Sequence, residues 1–251
     1  MFESSLPYES TALIHLSDFL RQQEVALHEV EIDAGTTRLT SLNATLLQDL
    51  QRFDSEHRSG EGLEALEVLA AAVRHGRALR LHLRHHYRVI PLTVYPADGS
   101  VHCALPLDQL LALELGDLGV LHVEPARPRP LSNDESARVA EAGHPAALSP
   151  LLWELALRGA REALLPEIAG PAAYRVAPGS ALHPLGLNGS LATAVQRLRR
   201  QAFNLREIAS WPGFDRERAM RLLNGLYLHA ALIVSRSHPA AIHEDDWGGG
   251  S

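Results

Sequence analysis

Residues 78–105 read ALRLHLRHHYRVIPLTVYPADGSVHCAL, and this stretch decides the fold class. Leu79, Leu81 and Leu83 alternate with Arg80, His82 and Arg84, the period of a strand with one buried face. Residues 88–95 are more continuously apolar, through Val89, Ile90, Leu92 and Val94, as expected of a strand covered on both sides. Asp98-Gly99 is a hairpin signal leading into a third strand over 101–105.

Working outward, residues 63–75 carry Leu66, Leu69, Ala70 and Val73 at helical spacing, with Gly76 placed to end the helix. Helices are also predicted over 10–22 and 41–53, with a strand over 24–33 between them and a polar loop over 55–62. Downstream, Pro106 can open a helix over 107–115, and Gly119 introduces a strand over 120–124. The order predicts an α+β fold: an N-terminal domain over 1–125 with a mixed or antiparallel sheet, in the style of small bacterial sensor or interaction domains. Residues 125–130 read PARPRP and open a Pro-rich linker over 126–147, with a short helix allowed at 132–142. A mainly helical domain over 148–240 follows, beginning with a helix over 150–165 and a short strand over 174–177. Residues 241–251, ending WGGGS, read as a flexible tail.

With 251 residues and 46% apolar content, the chain can bury a core, so global disorder is excluded. No apolar run approaches the ~20 residues of a membrane span, and the acidic start MFESSLPYES lacks the pattern of a secretory signal. A single cysteine, Cys103, excludes an internal disulfide. A cytoplasmic protein without membrane insertion is expected. All 23 basic residues are Arg, which with the Ala and Leu content suggests a GC-rich bacterial genome. The net charge of −7 is uneven. Residues 1–60 hold 4 Arg against 10 carboxylates, whereas 190–240 hold 8 Arg against Glu207, Asp215 and Glu217. Such asymmetry marks a candidate interaction surface.

The densest information lies in 190–236. Leu191, Ala194, Val195 and Leu198 form a helical stripe flanked by Arg197, Arg199 and Arg200. Asn204 can cap a short helix over 205–210, with Glu207 placed for a capping box. Trp211-Pro-Gly-Phe214 forms a turn. Asp215 then caps a helix expected to run to about 234, burying Ala219, Leu222, Leu223, Leu226 and Leu232. Two helices joined by a four-residue turn, after a third, follow the helix-turn-helix plan. The string NLREIASWPGFDRERAMRLLNGLYLHAALI resembles the small winged-helix modules of bacterial signalling proteins with PatA-type domains. The resemblance runs through Leu205, Glu207, Ile208, Arg221, Leu223, Leu226, Ala231, Leu232 and Ile233, with Ala231 where Gly is usual, and spans about 50 residues. It implies regulation or protein contact more than DNA reading. The candidate partner- or nucleic-acid-binding residues are Arg197, Arg199, Arg200, Arg216, Arg218 and Arg221.

Other chemistry is sparsely signalled. His82 and His86, facing His102 across a hairpin, are the candidate metal ligands, but Arg80 and Arg84 would oppose a cation there. Cys103 and His102, adjacent on one strand, point to opposite faces and cannot form a nucleophile–base pair. No phosphate loop, GxSxG or HExxH occurs, so neither cofactor nor catalytic residue is expected. The leading expectation is a non-enzymatic bacterial regulatory or adaptor protein that binds a macromolecular partner, a protein or a second copy, through its C-terminal helical domain. A DNA-binding transcriptional regulator is the alternative, and a metal-dependent enzyme built on the His-rich strand is the second.

Overall fold

The computed structural model describes residues 13–22, 63–126, 143–182 and 185–241. The helix and strand expected over 24–53, the loop over 55–62 and the short helix over 132–142 lie outside them. The chain is α+β and divides into two compact units, Met1–Leu148 and Ser149–Ser251. Among the described residues no helix is long and apolar enough to cross a membrane.

The first unit is built on an antiparallel sheet. Its strands are β1 (Ile14–His15), β2 (Leu63–Glu64), β3 (Leu79–His85), β4 (Arg88–Tyr95), β5 (Ser100–Cys103), β6 (Gly119–Pro125) and β7 (His144–Ala147). The order is β2-β6-β3-β4-β5-β7, with β1 also paired to β4. Helix α1 (Ala65–His75) and the short α2 (Leu107–Leu111) complete the named elements. Residues 16–22 are helical as expected, but 14–15 are drawn into β1 instead.

Register places the apolar residues on one face. Leu81 lies opposite Leu92 and Val123, Leu79 opposite Val94, and Val94 opposite Val101. All but Val123 are fully buried. At about 1.5–3 kcal/mol per buried aliphatic side chain, this face fixes the register, because a one-residue slip would turn every leucine outward. Pro91 is tolerated within the sheet because it sits where that edge of β4 passes from β1 (paired at 88–89) to β5 (paired at 92–95). A break in register between His82 and Leu83 leaves Leu121 as an extra residue on β6.

Helix α1 buries Ala65 to Ala72 in succession and stops at Gly76, whose φ of 59° is cheap only for glycine. The Gly76 N–H donates to the Val73 carbonyl and that of Arg77 to Ala72, closing the helix end. Helix α2 stops at Leu111, short of the expected 115, and a 3₁₀ turn at Leu115–Asp117 follows. The expected linker over 126–147 is corrected at its end. Residues 144–147 form β7, paired with β5 from Ser100↔Ala147 to Cys103↔His144.

On the other sheet face the Phe19 ring lies 4.8 Å from His82, whose own neighbours include His122 at 5.8 Å, with Arg80 and Glu124 nearby. His82 is 9% exposed and its Nδ1 has no hydrogen-bond partner. Burial, helped by the Arg80 charge, lowers its pKa to about 4 from the usual 6.5.

The second unit holds α3 (Leu148–Arg158, whose first residue belongs to the first unit), β8 (Ala173–Val176), α4 (Gly189–Arg200), β9 (Phe203–Asn204), α5 (Leu205–Ala209), α6 (Arg216–Leu228) and β10 (Leu232–Ser235). The strands form an antiparallel sheet in the order β10-β8-β9. Two expected helices are shorter than read. Helix α3 ends at Arg158 rather than 165, at Gly159, where a Cβ would collide with the Leu155 carbonyl oxygen. Helix α6 ends at Leu228 rather than near 234. Ala230 takes φ 50°, Ala231 N–H donates to the Leu226 carbonyl, and the β-branched Ile233-Val234 pair joins β8. Leu232, expected in the helical core, is therefore a half-buried strand residue.

Helices α3 and α6 approach closely. A Cβ on Gly225 would stand 2.8 Å from Trp153 Cζ3. The neighbouring Asn224 is fully buried and satisfied, accepting from the Leu165 N–H (2.8 Å) and donating to the Ala163 carbonyl (2.9 Å). His229 ties the start of α3 to the end of α6, with Nε2 2.8 Å from Ser149 Oγ and Nδ1 2.8 Å from the Gly225 carbonyl.

Two measurements check this account. Gly225→Ala improves helix propensity by about 1 kcal/mol but overpacks Trp153 at a cost of about 1–3 kcal/mol, so urea unfolding is expected to show net destabilisation. His82 binds its proton less well folded than unfolded. Its contribution is present above pH 6.5 and lost as pH falls towards about 4. Urea unfolding from pH 7 to 4 should show His82→Leu escaping up to about 3 kcal/mol of the wild-type decline.

Candidate functional site

The site is built where two helices begin within a dozen residues. Asn204 Oδ1 accepts the Glu207 N–H (2.9 Å), and Glu207 Oε2 accepts the Asn204 N–H (2.9 Å), the reciprocal box expected at the start of α5. Asp215 Oδ1 accepts the Arg218 N–H (2.7 Å) at the start of α6. Between them the turn closes with the Phe214 N–H on the Trp211 carbonyl (2.9 Å) and Gly213 at φ 78°. Both ends of the four-residue turn are thereby fixed.

The turn presents a row of rings and guanidinium groups. Trp211 packs edge-on against Phe203 at 4.9 Å and against Phe214 at 6.2 Å. The Arg197 guanidinium lies over the Trp211 ring at 5.2 Å, and that of Arg218 over Phe214 at 5.4 Å. Arg218 also donates to Ser190 Oγ (3.0 Å). Each cation–π contact contributes about 0.5–1 kcal/mol at an exposed site and leaves the positive charge intact. Arg199 and Arg200 share the last turn of α4, where the negative end of the helix dipole favours them. Arg199 donates to the Ser180 carbonyl (3.3 Å). Among the described residues, Arg197, Arg199, Arg200 and Arg218 are exposed and have no carboxylate partner within ion-pair distance.

Arg221 does something else. Its side chain is 16% exposed, its Nε pairs with Glu217 Oε1 at 2.7 Å, and its Nη1 donates to the Leu157 (3.0 Å) and Gly159 (2.7 Å) carbonyls. It satisfies the carbonyls that α3 leaves at its end. Arg221 is thus corrected from candidate contact residue to internal support. Arg216 stays exposed at the start of α6. Sequence reasoning missed the aromatic floor of Phe203, Trp211 and Phe214. Three rings around one short turn were a usable signal, but the placement of Arg197 over Trp211 depends on how α4 packs.

The histidine metal centre is corrected as well. His86 is not on the strand with His82; it sits in the hairpin turn at φ 54°. His102 is on β5, two strands from His82, and lies opposite Thr93 and Pro145. Among the described residues no group of three His, Cys, Asp or Glu side chains could hold a metal ion. His85 stacks on His86 at 4.3 Å, and burial, then the His86 charge, lowers its pKa. Burial pushes the Cys103 thiol up to about 11, and its Sγ accepts the Leu105 N–H at 3.4 Å.

Removing an inward-facing guanidinium should differ from removing an outward one. Arg221→Ala is expected to lower the unfolding free energy by about 2–3 kcal/mol through the unsatisfied carbonyls of α3. Arg200→Ala should stay within about 0.5 kcal/mol of the parent. Equal losses in parallel urea titrations would contradict this division. Comparison with protein-family models, curated proteins and solved structures gives no match to the chain.

Proposed function

We propose that the protein is a non-enzymatic, cytoplasmic bacterial regulatory or adaptor protein whose second unit docks on an acidic protein partner. In this reading α4, α5 and α6, with the sheet β10-β8-β9, form a winged-helix-like module. The observation that carries it is the row Arg197–Trp211–Phe214–Arg218, half-buried at its rings and exposed at its cations, which meet no carboxylate among the described residues. Aromatic residues and Arg are the types enriched at the centres of protein interfaces. The two acids that would repel an anionic partner are engaged within the unit, Asp215 as a helix cap and Glu217 by Arg221.

A protein partner is favoured over DNA. A recognition helix reads base edges through side chains near its N-terminus. Arg221 is turned inward, so of the three arginines near that end only Arg216 and Arg218 face outward. The net charge of −7 is also unlike a nucleic-acid footprint.

The test compares the full chain with a form carrying Arg197→Glu, Arg200→Glu and Arg218→Glu as bait in extracts of the source cells. A co-purifying protein is expected to be lost with the reversed charges, and to be lost from the parent as salt rises and the Debye length falls from about 10 Å to 3 Å. An identical set of co-purifying macromolecules for both forms overturns the reading. Salt-sensitive recovery of DNA in place of protein favours the transcriptional alternative.

A further inference from the structure

In the first unit, the helical residues 16–22 rest on a patch of the sheet that is rich in basic side chains. Among residues 13–22 only Phe19 is buried, and its ring lies on that of His82 at 4.8 Å. Beyond His82 stands His122 of β6 at 5.8 Å. Strand β3 adds Arg80, with Arg84 on the same face. Among the described residues the carboxylate acting on His82 is Glu124 of β6, which also approaches Arg80 Nε at 3.8 Å. Strand β4 places the uncharged Pro91 opposite His82. From the segment itself come Asp18 and Arg21, both exposed, and His15, whose Nδ1 is 2.7 Å from Ser17 Oγ. His82 Nδ1 and Arg80 Nε are buried without a hydrogen bond. In the neutral ring Nδ1 can remain a bare lone pair. Protonated, it becomes a charged donor with no acceptor, beside a guanidinium.

The two elements that meet at this contact are held unequally. Strand β3 is paired to β4 from Leu79 to His85 and to β6 from Leu79 to Arg84. Among the described residues, the segment 13–22 is held by the pairs Ile14↔Val89 and His15↔Arg88, by the Leu16 N–H on the Tyr87 carbonyl (2.9 Å), by His15 stacked on Tyr87 at 6.1 Å, and by Phe19. We propose that residues 13–22 are an acid-released latch: Phe19 seats on His82 while that ring is neutral, and a proton on His82 lifts the segment off while the sheet keeps its register. The weaker attachment gives way first, as local opening does in general. Covered, His82 titrates at about 4; released into water it returns to the ordinary 6.5, so acid favours the released state. Each pH unit lost between the two values favours release by up to about tenfold, about 300-fold in all. Release uncovers Phe19 and the imidazole face of the sheet together. The device lies in the first unit and is independent of the proposed function.

The test is amide hydrogen exchange on the full chain between pH 7 and 4, corrected for intrinsic rates. The opening constant at the Leu16 amide is expected to rise by at least about 30-fold, while the Leu81 and Leu92 amides within the sheet remain protected. His82→Gln and, separately, His82→Leu should flatten the rise at Leu16 to less than about three-fold. The His82 imidazole is titrated in parallel by its C–H resonances. Its midpoint in the parent should lie well below 6.5, and Phe19→Ala should bring it back towards 6.5. An equal rise at Leu16 in the parent and the His82 variants overturns the proposal. So does loss of protection at Leu81 and Leu92 in step with Leu16, which would make the event global unfolding. A midpoint that Phe19→Ala leaves unmoved also overturns it, and because that variant keeps the imidazole in place, this titration decides the matter alone if the His82 variants do not fold.

Discussion

Two helix starts so near each other impose one constraint on everything around them. Each leaves backbone N–H groups that no intrahelical carbonyl can accept. Asn204 with Glu207 and Asp215 satisfy donors at both starts, and the connection between them is left with little freedom. Trp211 and Phe214 are held at fixed angles because their backbone is. The guanidinium groups of Arg197 and Arg218 then rest on those rings, so the charged surface inherits its order from caps a few residues away.

The other support comes from within. Arg221 fastens the end of α3 to α6, while Gly225 lets Trp153 come close enough for the helices to share a core. One arginine is consumed in holding the frame, and Glu217 is paired with it. The first unit shows a similar trade. His82 is carried inward by strand alternation and covered by Phe19, where only its neutral form is comfortable.

Features encoded over a few residues were legible. The Asn204–Glu207 box, the Asp215 cap, the Gly76 stop and the β3–β4–β5 meander follow from local chemistry and appear where the pattern placed them. What escaped reading depends on distant partners. Residues 144–147, HPAA, have no strand signature and become β7 only because β5 offers an edge. The apolar run at 231–234 fits helix and strand alike, and the left-handed Ala230 together with β8 decides for strand. Arg221 is indistinguishable in sequence from its exposed neighbours, because the carbonyls it serves lie more than sixty residues away.

A guanidinium seated on an indole has a consequence for control. Arginine stays protonated across every pH a cell reaches, and it is not the target of the acetylation that neutralises lysine. With no lysine in the chain, neither acidity nor that modification can discharge the surface around Trp211. An anion drawn to it would be released only by competition or by screening, and the face itself remains permanently charged.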